Sequence, residues 1–120
     1  MAAFYRVTFE TANNEDLRQA FALTDDSGAP LDLTGAQLRM GIDPVPGPDT
    51  GPPVIEASLG NGRIVLASAT AGQFTIAIPA AVMRTVSPGS YRHDLVVTLA
   101  SGETHRVWAG ALTLQAGVTP

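Results

Sequence analysis

His93 and Asp94 stand side by side, and a histidine next to a carboxylate is a pairing that serves general acid–base catalysis. The residues around them, 91–100, alternate in the manner of a β-strand, and neighbouring side chains of a strand point to opposite faces. We therefore predict a half-buried histidine and a separate surface aspartate, which do not form a catalytic dyad.

His105 is the only other histidine. A tight turn at 101–102 would pair it with Thr98 and place it on the face opposite to His93. Two histidines on different faces cannot bind one metal ion, so the sequence predicts no histidine metal site.

Three carboxylates, Asp25, Asp26 and Asp32, lie close to a glycine turn in "DDSGAPLD" and could in principle bind Ca²⁺. Their spacing departs from the D-x-[DN]-x-[DN]-G pattern of calcium loops. Aspartates that form turns explain the same residues more simply. Asp43 and Asp49 fall in a proline-rich segment, where we expect solvated side chains.

In "LDLTG", the side chains of Asp32 and Thr34 are well placed to bond to nearby backbone amides, and Gly35 gives the backbone freedom to begin the next strand. We predict that this pair braces a corner and has no catalytic role.

Motifs for nucleophilic, phosphate-binding or zinc-dependent catalysis are missing from the sequence, and it contains no cysteine. The serines at turns and strand ends have no histidine and acid arranged around them: Ser27, Ser58, Ser87 and Ser101. We predict that the protein is not an enzyme, with no catalytic, cofactor-binding or metal-binding residues and no cofactor.

Charge and hydropathy exclude further classes of partner. The seven basic residues are scattered arginines in a chain of net charge −4, so no basic stripe is available for nucleic acid. No apolar run reaches the ~18 residues of a membrane span. The first residues lack the features of a signal peptide, which favours a protein that is made and kept in a cytoplasm or packed into something assembled there. At 120 residues, we expect one domain, 1–120.

Short alternating segments separated by turn residues cover most of the chain. The predicted strands are 4–10, 17–25, 36–42, 54–59, 63–68, 72–79, 91–100 and 103–115. A helix remains an alternative at 17–25, which contains good helix formers. "GNG" at 60–62 predicts a hairpin turn between its two neighbouring strands.

Pro79 suits the start of a short helix at 80–86, and Ser87-Pro88-Gly89 would end it. Tyr91 then follows where the tyrosine corner of an immunoglobulin-like sandwich would lie. These features predict an all-β fold, an Ig-like antiparallel β-sandwich of seven or eight strands with one short helical turn near 80–86.

Two regions leave the strand pattern open. The side-chain parity of 103–115 is ambiguous, and a bulge at Gly110 would reconcile part of it. Near the amino terminus, Phe4 or Phe9 could anchor a partner or belong to the core. If 4–10 is an edge strand completed by a partner, deletion of residues 1–10 should abolish assembly and leave a folded sandwich.

Several spaced segments together resemble a known family: "DLTGAQLRMGI", "NGRIVLASATAGQFTIAIP", "SPGSYRHDLVVT", "SGETHRVWAGALTL" and "GVTP". They are similar to small Ig-like virion proteins of tailed phages and prophages, and to the amino-terminal domain of phage baseplate upper proteins. The matching positions are Asp32, Leu33, Thr34, Gly35, Gly62, Gly72, Phe74, Gly89, Tyr91, Asp94, Gly102, Gly110, Val118 and Thr119.

The resemblance implies a non-catalytic structural protein of a virion, made in the bacterial host cytoplasm. Its partners would be other tail, baseplate, neck, capsid or fibre proteins, with several copies or a homo-oligomer in the assembly. Because the sequence ends at Pro120 without a coiled-coil extension, we expect an adaptor, anchor or decoration protein more than a fibre. The alternative is a carbohydrate- or cell-surface-binding β-sandwich, which would need exposed aromatic rings.

Overall fold

Strands make up most of the regular structure in the computed structural model, which describes residues 5–44 and 53–119. The elements are β1 (Tyr5–Arg6), β2 (Phe9–Ala12), β3 (Leu17–Ala22), β4 (Gln37–Pro44), β5 (Ile55–Ser58), β6 (Ile64–Ser68), β7 (Gln73–Ile78), α1 (Ala80–Met83), β8 (Gly89–Thr98) and β9 (Thr104–Gln115). Phe4, Asp49 and most of the proline-rich segment at 43–53 lie outside the described residues. Within them, no helix is long and apolar enough to span a membrane.

Two sheets form an Ig-like sandwich, as the sequence predicts. The larger sheet has the order β1-β9-β8-β4-β5, with β2 also paired to β9, and the smaller has the order β3-β7-β6. The segment 17–25 forms a strand at Leu17–Ala22 and not a helix, and pairs with β7.

The expectation of a wholly antiparallel fold is wrong at the amino terminus. β1 and β2 both run parallel to β9, with Tyr5 opposite Trp108 and Phe9 opposite Leu112. Only strands joined by a tight hairpin are constrained to be antiparallel, and these partners are separated by nearly the whole chain.

The core lies between the sheets and contains a cluster of aromatic rings. Trp108 of the larger sheet packs against Phe21 and Phe74 of the smaller sheet, with ring centroids 4.5 and 5.8 Å apart. Phe9 from β2 joins the cluster at 6.4 Å from Trp108. Because Phe9 is only 3% exposed, it belongs to the core, which is one of the two alternatives that the sequence left open.

The crossing from the smaller sheet to β8 confirms the predicted corner. After β7, Pro79 precedes the single turn of α1, and Met83 of that helix is fully buried. The Tyr91 hydroxyl then donates a hydrogen bond to the Ser87 carbonyl. This contact within four residues is the tyrosine corner of an Ig-like sandwich.

The segment 60–62 is a turn between sheets, which makes the hairpin prediction wrong. β5 pairs with β4 in the larger sheet, whereas β6 pairs with β7 in the smaller one. Gly62 has the expected positive φ of 77°. The Asn61 side chain shapes the turn by accepting hydrogen bonds from the amides of Ser58 and Arg63 at 2.9 and 3.1 Å.

The bulge in β9 lies at Val107 and not at Gly110. Leu95 pairs with Trp108 and the next residue, Val96, pairs with Arg106, so Val107 is the additional residue. The bulge allows Val107 and Trp108, which are consecutive, both to face the core. The ambiguous parity of the strand has this cause.

Candidate functional site

Residues 25–28 form a turn, closed by a hydrogen bond from the Gly28 amide to the Asp25 carbonyl at 3.1 Å. One carboxylate oxygen of Asp25 accepts hydrogen bonds from the Ser27 amide, the Ser27 hydroxyl and the Ala29 amide at 2.9, 2.6 and 3.0 Å. The hydrogen bond from the Ser27 hydroxyl is the largest of the effects that lower the pKa of Asp25. Across residues 5–44 and 53–119, no three histidine or acidic side chains are grouped so that they could hold a metal ion.

Asp32 and Thr34 form the predicted corner brace. The Asp32 carboxylate accepts hydrogen bonds from the Thr34 amide at 2.9 Å and from the Thr34 hydroxyl at 2.7 Å. These contacts, the hydroxyl first, lower the pKa of Asp32. Leu33 between them is fully buried, and Gly35 has a φ of 74°. The brace therefore holds Leu33 in the core, four residues before β4 begins at Gln37.

His93 and Asp94 do separate onto opposite faces. His93 is 4% exposed and its ring centroid lies 4.8 Å from that of Phe9. Neither ring nitrogen makes a hydrogen bond of normal geometry within the described part of the chain. Burial disfavours the charged ring and lowers the pKa of His93. The nearby backbone groups of Val7 and Ala111 favour the charged ring, but their effect on the pKa is smaller. The histidine is therefore a neutral core residue.

A stability measurement can test this state of His93. The pKa of the buried ring lies below the usual value of about 6.5, so below that pH the unfolded chain binds a proton that the folded chain does not. We expect the free energy of unfolding to fall between pH 6.5 and 5, by at most about 1.4 kcal/mol per pH unit. Urea denaturation followed by circular dichroism over this range measures the slope.

The variant His93→Leu should flatten this pH dependence, whereas His105→Gln, which retains His93, should preserve it. Glu15, Asp25 and Asp32 have lowered pKa values, so they lose their stabilising contribution only at more acidic pH, below about 4. An unchanged slope in His93→Leu would contradict the assignment.

His105 lies elsewhere than predicted. It pairs with Val97 and not with Thr98, because the turn extends through Glu103, whose carbonyl accepts the Leu99 amide at 2.8 Å. Cross-strand partners share a face, so His105 lies on the same inner side as His93, contrary to the prediction. The two are separated by four residues along β8, or about 13 Å, and His105 instead contacts the Glu103 carboxylate at 3.1 Å.

The four serines take part in local structure. The Ser27 hydroxyl binds Asp25, and the Ser58 hydroxyl accepts the Asn61 amide at 3.1 Å. The Ser87 carbonyl accepts Tyr91, and the Ser101 hydroxyl accepts the Glu103 amide at 3.5 Å. These contacts are those of turns and corners.

One surface was not found from the sequence: a cleft of about 390 Å³ on the outer face of the larger sheet, the face directed away from the smaller sheet. This outer cleft is lined by Gly41, Asp43, Pro53, Arg92, His93, Asp94, Arg106, Ala109 and Gly110. Asp43 is part of β4 and pairs with Arg92, so its prediction as a solvated loop residue is wrong. The alternation of side chains along β4 and β8 indicates which residues face outward. Only the pairing register of the strands shows that these residues lie together in one cleft.

Comparison with known proteins adds likenesses of shape alone. No protein-family model matches the sequence, and no curated protein matches it either. The chain is similar in structure to CopC from Methylosinus trichosporium OB3b, with a TM-score of 0.47 and 13% identity over 98% of this chain and 89% of that one.

Two further likenesses are to extracellular domains 3–5 of Drosophila OTK and to murine CRIg. The TM-scores are 0.39 and 0.38 and the identities 17% and 10%, each over 98% of this chain. The match spans 36% of the OTK chain and 98% of the CRIg chain.

Proposed function

We propose that this chain is a non-catalytic structural protein of a phage or phage-like particle, an adaptor, anchor or decoration component of its tail, baseplate, neck or capsid. It would act through contacts with other virion proteins and be present in several copies. The observation that carries the proposal is the use of the polar side chains. Asp25 and Asp32 brace turns and His93 is buried, while the outer face of the larger sheet presents small and charged side chains.

The resemblance to Ig-like virion proteins supports the proposal further. Its matching positions include the brace at Asp32 and Thr34, the turn at Gly62, the corner at Tyr91 and the close approach at Gly110. They belong to different strands and turns and together build the sandwich.

A carbohydrate-binding role receives less support from the described aromatic residues. Sugar sites stack the ring of the sugar on an exposed aromatic face. Trp108 is 1% exposed, and Phe9, Phe74 and Tyr91 are also buried. The exposed side chains of the outer face are instead suited to protein contacts.

Particles released from a host that carries the gene provide the test. After density-gradient purification, quantitative mass spectrometry should find this chain at a fixed ratio to the major capsid protein in every particle fraction. An abundant cytoplasmic host protein serves as the control and should be lost during purification. If the chain is lost with it, the proposal is wrong.

A further inference from the structure

Cross-strand register arranges the outer face of β5, β4, β8 and β9 in rows. The arginine row consists of Ser58, Arg39, Val96 and Arg106. The adjacent carboxylate row consists of Glu56, Gly41, Asp94 and Ala109. Within the carboxylate row, a glycine lies between the two acidic residues, and both of these are on strands that neighbour β4.

We propose that this face binds a second copy of the chain, about a two-fold axis parallel to the rows and between them. A half-turn about this axis places each arginine row over the carboxylate row of the other copy. Each strand then faces the same strand of the other copy, with β4 over β4. Arg39 then lies over Gly41 of the second copy, with Glu56 and Asp94 of that copy on either side. Because the two-fold axis relates the copies, the contact is made twice.

The dimensions of a sheet suit this contact. Neighbouring strands are about 4.8 Å apart, so an arginine centred over Gly41 is within reach of carboxylates on both adjacent strands. Facing sheets pack about 10 Å apart. The Pro53 side chain lies against Gly41, 3.3 Å from where a Cβ atom would be, so the guanidinium would stack on the proline ring between the two carboxylates. The outer cleft, with Gly41, Ala109 and Gly110 in its lining, lies at this place.

The charge distribution also favours this face over others. The four strands present as many arginines as carboxylates: Arg39, Arg92, Arg106, Asp43, Glu56 and Asp94. The rest of the chain therefore carries the whole net charge of −4. The other, negatively charged surfaces of two copies repel each other, whereas the charges of this face are complementary between the copies.

Arg106 contributes less than Arg39. It would lie over Ala109 and beside Asp94 of the second copy, but Arg6 of β1 borders Ala109 on its other side. The closest match of charge is therefore centred on β4.

The inference rests on the proposed function in treating the chain as an assembly module, yet it concerns the purified chain alone, so it can fail while the particle experiment succeeds.

Sedimentation velocity and light scattering of the full chain test the proposal. We expect a concentration-dependent dimer that weakens as salt is raised. Arg39→Glu and Glu56→Arg should each raise the dissociation constant at least about tenfold, because each places like charges opposite each other. Arg18→Glu, the same change on exposed β3 of the smaller sheet, should leave the dimer intact.

Mixing the two single variants gives the decisive result. In a dimer of one Arg39→Glu chain with one Glu56→Arg chain, one of the two contacts has its charges exchanged and the other keeps the original Arg39 and Glu56. Opposite charges then meet at both contacts, so the mixed dimer should form at concentrations where neither variant associates with itself. Circular dichroism confirms that each variant is folded. A chain that remains monomeric, or a dimer that persists unchanged in both variants, would overturn the proposal.

Discussion

Replacing Trp108 with alanine is expected to lower the free energy of unfolding by about 3–5 kcal/mol. The indole is 1% exposed and lies between the two sheets, in contact with Phe21 and Phe74 of the smaller sheet and Phe9 of the larger one. Its removal leaves a cavity that these rings cannot fill without leaving their own positions. A domain of this size has a total stability of only about 5–15 kcal/mol, so the variant should be partly unfolded at modest temperature.

Urea denaturation followed by far-ultraviolet circular dichroism measures this loss, since the variant lacks the only tryptophan. Trp108→Phe should recover much of the stability, because it keeps an aromatic ring and removes an indole N–H that has no hydrogen-bond partner within the described residues. Val65→Ala, at a side chain 51% exposed, serves as the control and should change the stability by no more than about 0.5 kcal/mol. A loss below about 1 kcal/mol in Trp108→Ala would show that the rings do not hold the sheets together.

Local features of this fold could be predicted from the sequence because their partners are close in the chain. The brace at Asp32 joins residues two apart, and the corner at Tyr91 joins residues four apart. The strand at Leu17–Ala22 follows from alternation and from the turn at Asp25 that ends it. Each of these interactions is complete within a few residues, so side-chain chemistry alone indicates it.

Long-range register could not be predicted in this way. The parallel pairing of β1 and β2 with β9 joins the two ends of the chain, as in the 2.9 Å hydrogen bond from Gln115 to Glu10. The bulge at Val107 shifts the later residues of the strand pair, and a longer turn than expected moved His105 by one partner. A shift of one residue reverses the face of a strand, which is why the face of His105 was predicted wrongly.

The outer cleft depends on the same register. Gly41 of β4 is far in the sequence from Asp94 of β8 and Ala109 of β9, and nothing local indicates that the three form one row. Their outward direction follows from alternation, but the order of arginines against carboxylates follows only from which residues pair.

Gly110→Ala is the second substitution with a large expected effect, and its cause is steric. A Cβ atom at this position would lie 1.8 Å from the Val7 carbonyl oxygen and 2.7 Å from the Val7 carbonyl carbon. Both are backbone atoms, in the segment that joins β1 to β2, and the Val7 amide donates to the Ala109 carbonyl at 3.2 Å. The amino-terminal segment must therefore move away from β9, and this movement exposes Phe9. Loss of a buried phenylalanine costs about 3–5 kcal/mol.

Hydrogen exchange distinguishes local release from global unfolding in Gly110→Ala. We expect amides of β2 and of the adjoining part of β9 to lose protection first, together with a lower urea midpoint. Gly60→Ala is the matched control, because its added Cβ would meet only the Ser58 hydroxyl at 3.7 Å, an ordinary contact. Since Phe9 is part of the core, deletion of residues 1–10 should destabilise the sandwich in the same way, instead of leaving it folded. Wild-type protection of β2 in Gly110→Ala would contradict the close approach of Val7 to β9.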